Sequence, residues 1–149
     1  MPIRYAHTNI IAADWKRLAE FYQLAFDCVP VPPERNQSGK WLEDGTGVPG
    51  AALAGVHLRL PGYGSSGPTL EIYSYQAMQE KPTALPNRQG FNHIAFVVDD
   101  VERTLQQIIS LGGRAIGKVV TAQVPGVGQI TFVYAADPED NILEIQKWT

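Results

Sequence analysis

Apolar and polar positions along the chain form one pattern that occurs twice. Residues 4–12 are predicted to form a strand, and the apolar positions of residues 15–25 then recur at the spacing of one helix face. Residues 90–98 form a second apolar strand, which residues 101–111 follow with the same helical spacing. The pattern therefore predicts a strand followed by a helix near the start of the chain and again after its middle.

Aspartates at the strand–helix junctions predict where both helices begin. Asp14 precedes the first helical segment, and Asp99 or Asp100 precedes the second, where a carboxylate can accept a hydrogen bond from the first turn. Proline, glycine and polar residues predict loops at 32–39 and 45–50. Short alternating or β-branched runs predict the remaining strands, at residues 27–31, 51–60, 69–75, 114–120, 128–136 and 142–147.

These elements predict an α+β protein made of two tandem β-α-β-β-β modules. Prolines break regular structure within residues 76–89, which separate the two patterns. We therefore expect a single domain over residues 1–149, with a first module at about 1–75, the connector 76–89 and a second module at about 90–149. Two such modules, related by an approximate two-fold axis, are expected to curl their sheets into a single open barrel-like cup.

Composition and charge exclude several classes of protein. A chain of 149 residues with 44% hydrophobic content can bury a real core. A net charge of -3 with scattered Lys and Arg predicts no nucleic-acid partner. No segment approaches the roughly 20 apolar residues of a membrane helix, and no secretory pattern opens the chain, so a cytoplasmic protein is expected. Cys28, as the only cysteine, excludes an intrachain disulfide.

The candidate chemistry lies at matching places in the two halves. Each half has a histidine in its first strand and a glutamate in its last strand, namely His7 and Glu71, then His93 and Glu144. One such residue alone is usually an ordinary solvated or hydrogen-bonded strand residue, but four at equivalent positions of a repeat predict one site. Two imidazoles and two carboxylates suit a divalent first-row metal ion and leave coordination positions open for a substrate.

With these residues the chain resembles the vicinal oxygen chelate superfamily, the group of glyoxalases, bleomycin resistance proteins and extradiol dioxygenases. The His, Glu, His, Glu order is similar to that of glyoxalase I. The related methylmalonyl-CoA epimerases have Gln where this chain has Glu71, and extradiol dioxygenases and fosfomycin-modifying relatives use a His, His, Glu set. The resemblance covers nearly the whole chain and rests on His7 before residues 15–22, on Leu70-Glu71-Ile72, on His93 before residues 97–101, and on Leu143-Glu144-Ile145.

The resemblance implies a metal-dependent lyase or isomerase that transfers a proton next to a carbonyl. A small substrate with vicinal oxygens would chelate one divalent ion, which would stabilise the enediolate that forms when a base removes the proton. By analogy with glyoxalase I, Glu144 is the first candidate for that base, and Glu71 would take the opposite face of the substrate. A homodimer is expected, with the cup built within one chain or shared between two. The implied ion is Ni, Zn, Co, Mn or Fe, with His7, Glu71, His93 and Glu144 as its ligands.

The substrate and the function class leave alternatives open. Glyoxalase I has an arginine four positions after its first histidine that helps to hold the glutathione carboxylate, and this chain has Ile11 there. An isomerase like methylmalonyl-CoA epimerase is one alternative. A binding protein that sequesters a small molecule such as an antibiotic is another, and such binders lack the metal set. The candidate substrate contacts are His57, Arg59, Tyr73 and Tyr75, and a position on the outer surface is equally open for Arg59.

Overall fold

The computed structural model describes residues 2–149, which form two compact units. The first unit extends to Glu80, and the second runs from Lys81 to Thr149, so their boundary lies within the stretch predicted to connect two modules. Within residues 2–149, no helix has both the length and the apolar content needed to cross a membrane. The arrangement of the two modules within one domain stays a prediction.

The first unit is a four-stranded sheet with a helix packed on one face. Its strands are ordered β1-β4-β3-β2, with β1 parallel to β4 and the other neighbours antiparallel. Tyr22 of the first helix and Leu70 and Ile72 of the fourth strand are fully buried, because helix and sheet cover each other's apolar faces. In chain order the elements are β1 (His7–Ile11), α1 (Trp15–Phe26), β2 (Val29–Ser38), α2 (Lys40–Thr46), β3 (Ala52–Arg59) and β4 (Thr69–Tyr75).

The second unit repeats this layout with one more strand. Its strands are ordered β5-β9-β8-β6, with β5 parallel to β9, and β7 pairs with β8 in addition. The same order of first, last and penultimate strands in both units confirms the predicted α+β class and the repeated module. The elements are β5 (His93–Val97), α3 (Val101–Ser110), β6 (Arg114–Ala115), β7 (Val120–Val124), β8 (Gly128–Ala136) and β9 (Ile142–Trp148).

Both long helices begin at the predicted aspartates. The Asp14 carboxylate accepts from the backbone N–H of Arg17 at 3.2 Å, and the Asp100 carboxylate accepts from that of Arg103 at 3.0 Å. Each bond satisfies a first-turn N–H that has no partner within its own helix. Asp100, and not Asp99, is therefore the cap of α3. The same capping hydrogen bond therefore begins the long helix of each unit.

The structure corrects the prediction of a loop at residues 32–39. Strand β2 continues to Ser38, and its register shifts between Val31 and Arg35, so the prolines at 32 and 33 leave the ladder in a bulge. A bulge accommodates proline because the extra residues need not donate to the neighbouring strand. Pairing resumes with Arg35 opposite Gly55. The bulge therefore returns Arg35 to the sheet.

Two other element predictions are also wrong. Residues 40–46 form the short helix α2, whereas the sequence predicts a loop from residue 45 and no helix before it. Gly39 begins this helix and Gly47 ends it, both with positive φ angles. The predicted strand at 114–120 is two strands, since β6 ends at Ala115 and β7 begins at Val120. Helix α2 has seven residues and β6 has two, and elements this short have no clear periodicity in sequence.

Candidate metal centre

One face of the first unit's sheet collects polar side chains from three neighbouring strands. Asn9, Glu71 and His57 are Cα partners across β1, β4 and β3. Directly paired residues point to the same face of a sheet, and so do residues two apart on one strand. His7, Thr69 and Arg59 are likewise paired across these strands, two residues along from the first set. Their side chains therefore point to the same face of the sheet.

The Glu71 carboxylate is the centre of these side chains. Its Oε2 lies 2.8 Å from His57 Nε2, and its Oε1 lies 3.6 Å from His7 Nε2. One ligand atom from each of the three residues lies within 4.8 Å of the other two. The side chains of Glu71 and His57 are 12% and 17% exposed, whereas that of His7 is 41% exposed. We call these three residues, His7, His57 and Glu71, the donor group. The group is shielded from water at Glu71 and His57 and open to water at His7.

Asn9 holds the Glu71 carboxylate from the neighbouring strand. Its Nδ2 donates to Glu71 Oε1 at 3.0 Å and also to the Glu71 backbone oxygen at 3.2 Å. Partners of this kind orient ligating carboxylates in metal sites. The orientation of Glu71 is thus fixed by β1 as well as by β4.

His57 is held at one ring nitrogen and faces Glu71 with the other. Its Nδ1 lies 3.0 Å from Thr69 Oγ1, an arrangement that leaves Nε2 for a ligand or a proton. Burial lowers the pKa of His57 below its ordinary value; the charge of Glu71 opposes this shift, and the charges of Arg35 and His7 add to it. The neutral imidazole, which this environment favours, is the form that binds metal ions.

Tyr73 places a hydroxyl beside the same two side chains. The hydroxyl lies 3.1 Å from His57 Nε2, and the two rings meet edge to face with centroids 5.9 Å apart. Burial raises the pKa of Tyr73, and the charge of Glu71 and a hydrogen bond to it act in the same direction. The Tyr73 phenol therefore keeps its proton, so that its O–H can donate a hydrogen bond beside His57 and Glu71.

Gly55 makes room for the Tyr73 ring. A Cβ at position 55 would lie 2.8 Å from Tyr73 Cα and closer still to the Tyr73 ring and the Ile72 carbonyl oxygen. We expect Gly55→Ala to lower the free energy of unfolding by about 1–3 kcal/mol, because the backbone of β4 must shift to relieve this overlap. Chemical denaturation of the purified variant measures this loss.

The control for that variant is Gly45→Ala. Gly45 lies in helix α2, and an added Cβ there would meet nothing within 4 Å. Alanine is favoured over glycine in a helix by roughly 0.5–1 kcal/mol, so this change should leave stability equal or higher. Equal stability of the two variants would contradict the close packing of β3 on Tyr73.

His93 and Glu144 lie together on the sheet of the second unit. Glu144 pairs with Ala95 across β5 and β9, and His93 stands two residues before Ala95, so both side chains share one face. Tyr134 pairs with Glu144 from β8, and its ring centroid lies 4.6 Å from that of His93. His93 is exposed, and its Nδ1 lies 2.9 Å from Asn92 Oδ1. The ligand roles of His93 and Glu144 stay predictions.

The other predicted substrate contacts lie on the face of the donor group in the first unit. Tyr73 is described above, and Tyr75 packs against a small apolar cluster that includes Leu42 and Leu53. Arg59 lies on this face by its register, not on the outer surface. Among residues 2–149, its Nε is the buried side-chain polar atom that has no hydrogen-bond partner. The substrate-binding roles of these residues stay predictions.

Sequence interpretation misses two features of this site. A predicted loop at 32–39 leaves Arg35 out, whereas the structure pairs it with Gly55. His57 is predicted as a substrate contact, and the structure adds it to the donor group. The alternation of β3 shows that His57 faces one side, but only the register of β3 on β4 brings it to Glu71.

The donor group fits a divalent first-row metal ion. Imidazole nitrogen and carboxylate oxygen bind such ions, at about 2.0–2.2 Å in the case of zinc. Atoms that already lie within 4.8 Å of one another can meet one ion with small side-chain movements. His7 and Glu71 of the predicted ligand set are thus brought together, and His57 joins them.

Comparison with known families gives a match over most of the chain. A family model described as a glyoxalase-like domain matches residues 7–145. The matched region therefore includes His7, Glu71, His93 and Glu144. No curated protein is similar enough in sequence to be matched.

Solved structures share this fold at low sequence identity. A glyoxalase family protein from Bacillus cereus has a TM-score of 0.72 at 15% identity, over 98% of this chain and 93% of that chain. A glyoxalase/bleomycin resistance protein/dioxygenase domain from Frankia has a TM-score of 0.55 at 17% identity, over 100% and 98%. A mutant fosfomycin resistance protein from Listeria monocytogenes, complexed with Mn(II) and dihydroxypropylphosphonic acid, has a TM-score of 0.54 at 19% identity, over 97% and 92%. Such identities show the fold alone.

Proposed function

The chain belongs to the glyoxalase-like domain family, within the vicinal oxygen chelate superfamily, and from this premise we propose that it is a metal-dependent enzyme that moves a proton next to a carbonyl group. The observation that carries the proposal is the donor group, since two imidazoles and a carboxylate lie within 4.8 Å of one another on one sheet face. Its substrate would be a small molecule with vicinal oxygens. An enzyme of the glyoxalase I type, acting as a lyase or isomerase, is the form that the predicted His, Glu, His, Glu set favours.

Residues around the donor group hold its side chains in orientations that suit the binding of a metal ion. Asn9 orients the carboxylate of Glu71, and Thr69 restrains His57 from the ring nitrogen opposite Glu71. A bound divalent ion supplies Lewis-acid polarisation of a substrate oxygen. The residues that would hold it are His7, His57 and Glu71 of the donor group, with His93 and Glu144 as the predicted ligands from the second unit.

Glu144 is the proposed general base. The oxygens of Glu71 are already engaged by Asn9 and His57, which favours a fixed binding role for Glu71. Glu144 is half-buried on β9, where the amide of Gln146 donates to its Oε2 at 2.5 Å. A carboxylate in such a position can take a proton from the carbon next to a substrate carbonyl.

The metal content of the purified protein is the first test of this proposal. We expect a stoichiometric divalent ion after gentle purification, or after addition of Ni, Co, Zn, Mn or Fe. The Listeria protein of similar fold is complexed with Mn(II), one of these ions. Wild-type protein that neither retains an ion nor accepts one would refute the enzyme proposal. That outcome would favour the alternative of a small-molecule binding protein.

Solvent deuterium exchange at the α-carbon identifies the reaction. Hemithioacetals and acyl-CoA esters are offered separately to the metal-loaded protein, and incorporation of deuterium is followed by NMR. Exchange in hemithioacetals would support a glyoxalase I-like reaction, and exchange in acyl-CoA esters would support the epimerase-like alternative. A homodimer and a location in the cytoplasm are part of the proposal and are checked separately by light scattering and by cell fractionation.

A further inference from the structure

Two arginines lie on the same sheet face as the donor group, one on each side of the row formed by Asn9, Glu71 and His57. Arg59 follows His57 by two residues on β3, and Gly55, the Cα partner of Arg35, precedes His57 by two residues. A strand rises about 3.3 Å per residue and neighbouring strands lie about 4.8 Å apart, so Arg59 leaves the sheet about 7 Å from the position of His57 and Arg35 about 8 Å from it. A guanidinium can reach across either distance. Arginines therefore occupy the positions on either side of the pair Glu71 and His57 along the strand direction.

Neither arginine has an anionic partner among the described residues. The ion pairs found within residues 2–149 involve other side chains. Arg35 is half-buried, and its Nη1 donates to the backbone oxygen of Pro33. The Nε of Arg59 is buried and donates to nothing. Buried donors without partners are rare in folded proteins, and a missing ligand is one of their ordinary causes.

The electrostatics of the face favour an anion. Glu71 is the carboxylate of the donor group, and the charge of Arg35 is close enough to act on both His57 and Tyr73. The two positive charges of a bound divalent ion would exceed the single negative charge of Glu71, and the two arginines would make the net charge of the face more positive. A face with this balance attracts negative groups, and arginine binds carboxylate and phosphate in a bidentate geometry.

We propose that Arg35 and Arg59 together bind an anionic group of the substrate, a carboxylate or a phosphate, on the sheet face that carries His7, His57 and Glu71. The substrate is then a carbonyl compound with vicinal oxygens and a negatively charged end. As an assignment of substrate class, this rests on the proposed function. It assigns to Arg35 and Arg59 the anion-binding role that Ile11 cannot fulfil on β1.

Anion titrations of the full chain test the proposal. Inorganic phosphate and acetate are titrated separately, by calorimetry, in low-chloride buffer. The protein is first stripped of metal ions with a chelator that is then removed by dialysis, so that neither anion can bind through a metal ion. We expect Arg35→Gln and Arg59→Gln each to weaken binding of the preferred anion by at least about tenfold, since hydrogen bonds to charged groups are the strong ones. The double variant should weaken it by about a hundredfold. The tighter of the two probes identifies the group as phosphate or carboxylate.

The control is Arg17→Gln, on the exposed side of α1. It should bind the anion like the wild type, and circular dichroism should show native spectra for all variants. A double variant that binds like the wild type would overturn the proposal, as would an equal loss in Arg17→Gln. Loss confined to one of the two arginines would overturn joint binding. If the protein binds the anion but accepts no metal ion, the anion site is supported and the proposed function is refuted. If it accepts a metal ion but binds neither anion, the anion site is refuted and the proposed function is not.

Discussion

Replacing Glu71 with glutamine is expected to lower the affinity of the protein for a divalent metal ion by at least about a hundredfold, because even outer partners of ligands contribute 10–100-fold. Glutamine keeps the shape of the side chain and can still contact Asn9 and His57. It removes the negative charge that balances the ion. The loss should therefore appear in metal affinity and not in folding, and competition with a coloured chelator measures it.

Two further variants sharpen this result. Glu20→Gln, on the exposed side of α1, is the matched carboxylate control and should bind metal like the wild type. His57→Ala should also weaken binding, because His57 Nε2 lies 2.8 Å from Glu71 Oε2. Unchanged affinity in His57→Ala would return His57 to the role of a substrate contact. Unchanged affinity in Glu71→Gln would refute the donor group as a metal site.

Glu144→Gln is expected to reduce the rate of α-carbon exchange by about 10²–10⁴-fold, the usual contribution of a general base. The amide cannot accept the substrate proton, but it can still pair with Gln146, and Leu143 and Ile145 keep their buried positions. The fold should therefore be unaffected. The measurement is deuterium incorporation into the preferred substrate by metal-loaded wild type and variant.

The same experiment separates Glu144 from Glu71 as the base. The metal affinity of Glu144→Gln is measured together with its exchange rate. Replacing a residue that is both a metal ligand and the base would lower both the metal affinity and the exchange rate. Glu20→Gln serves again as the control, with exchange at the wild-type rate. Full exchange activity in Glu144→Gln would exclude Glu144 as the base and leave Glu71 as the remaining carboxylate of the predicted set.

Local pattern predicted the elements whose residues carry their own signals. The carboxylates of Asp14 and Asp100 satisfy N–H groups three residues ahead, which depends only on neighbouring residues. The two Leu-Glu-Ile triplets alternate between buried and half-buried positions, as a strand with one apolar face must. The β-α start of each module and the shared facing of Glu71 and Tyr73 could thus be predicted from sequence.

Local pattern failed where contacts distant in sequence decide the backbone. The sequence of residues 32–39 predicts a loop because prolines rarely pair in a sheet. In the structure the prolines lie in a bulge of β2, and pairing with β3 resumes at Arg35. Helix α2 likewise follows a glycine with a positive φ angle and is too short to have a clear periodicity. Neither outcome can be derived from the segment alone.

The sequence by itself determined the candidate metal ligands, because a repeat places His7, Glu71, His93 and Glu144 at equivalent points of two modules. The tertiary structure decided which side chains meet. Strand register is set by long-range pairing and turns, and a shift of one residue would move His57 to the opposite face. Only that register brings His57 to Glu71 and sets Arg35 and Arg59 on either side of them.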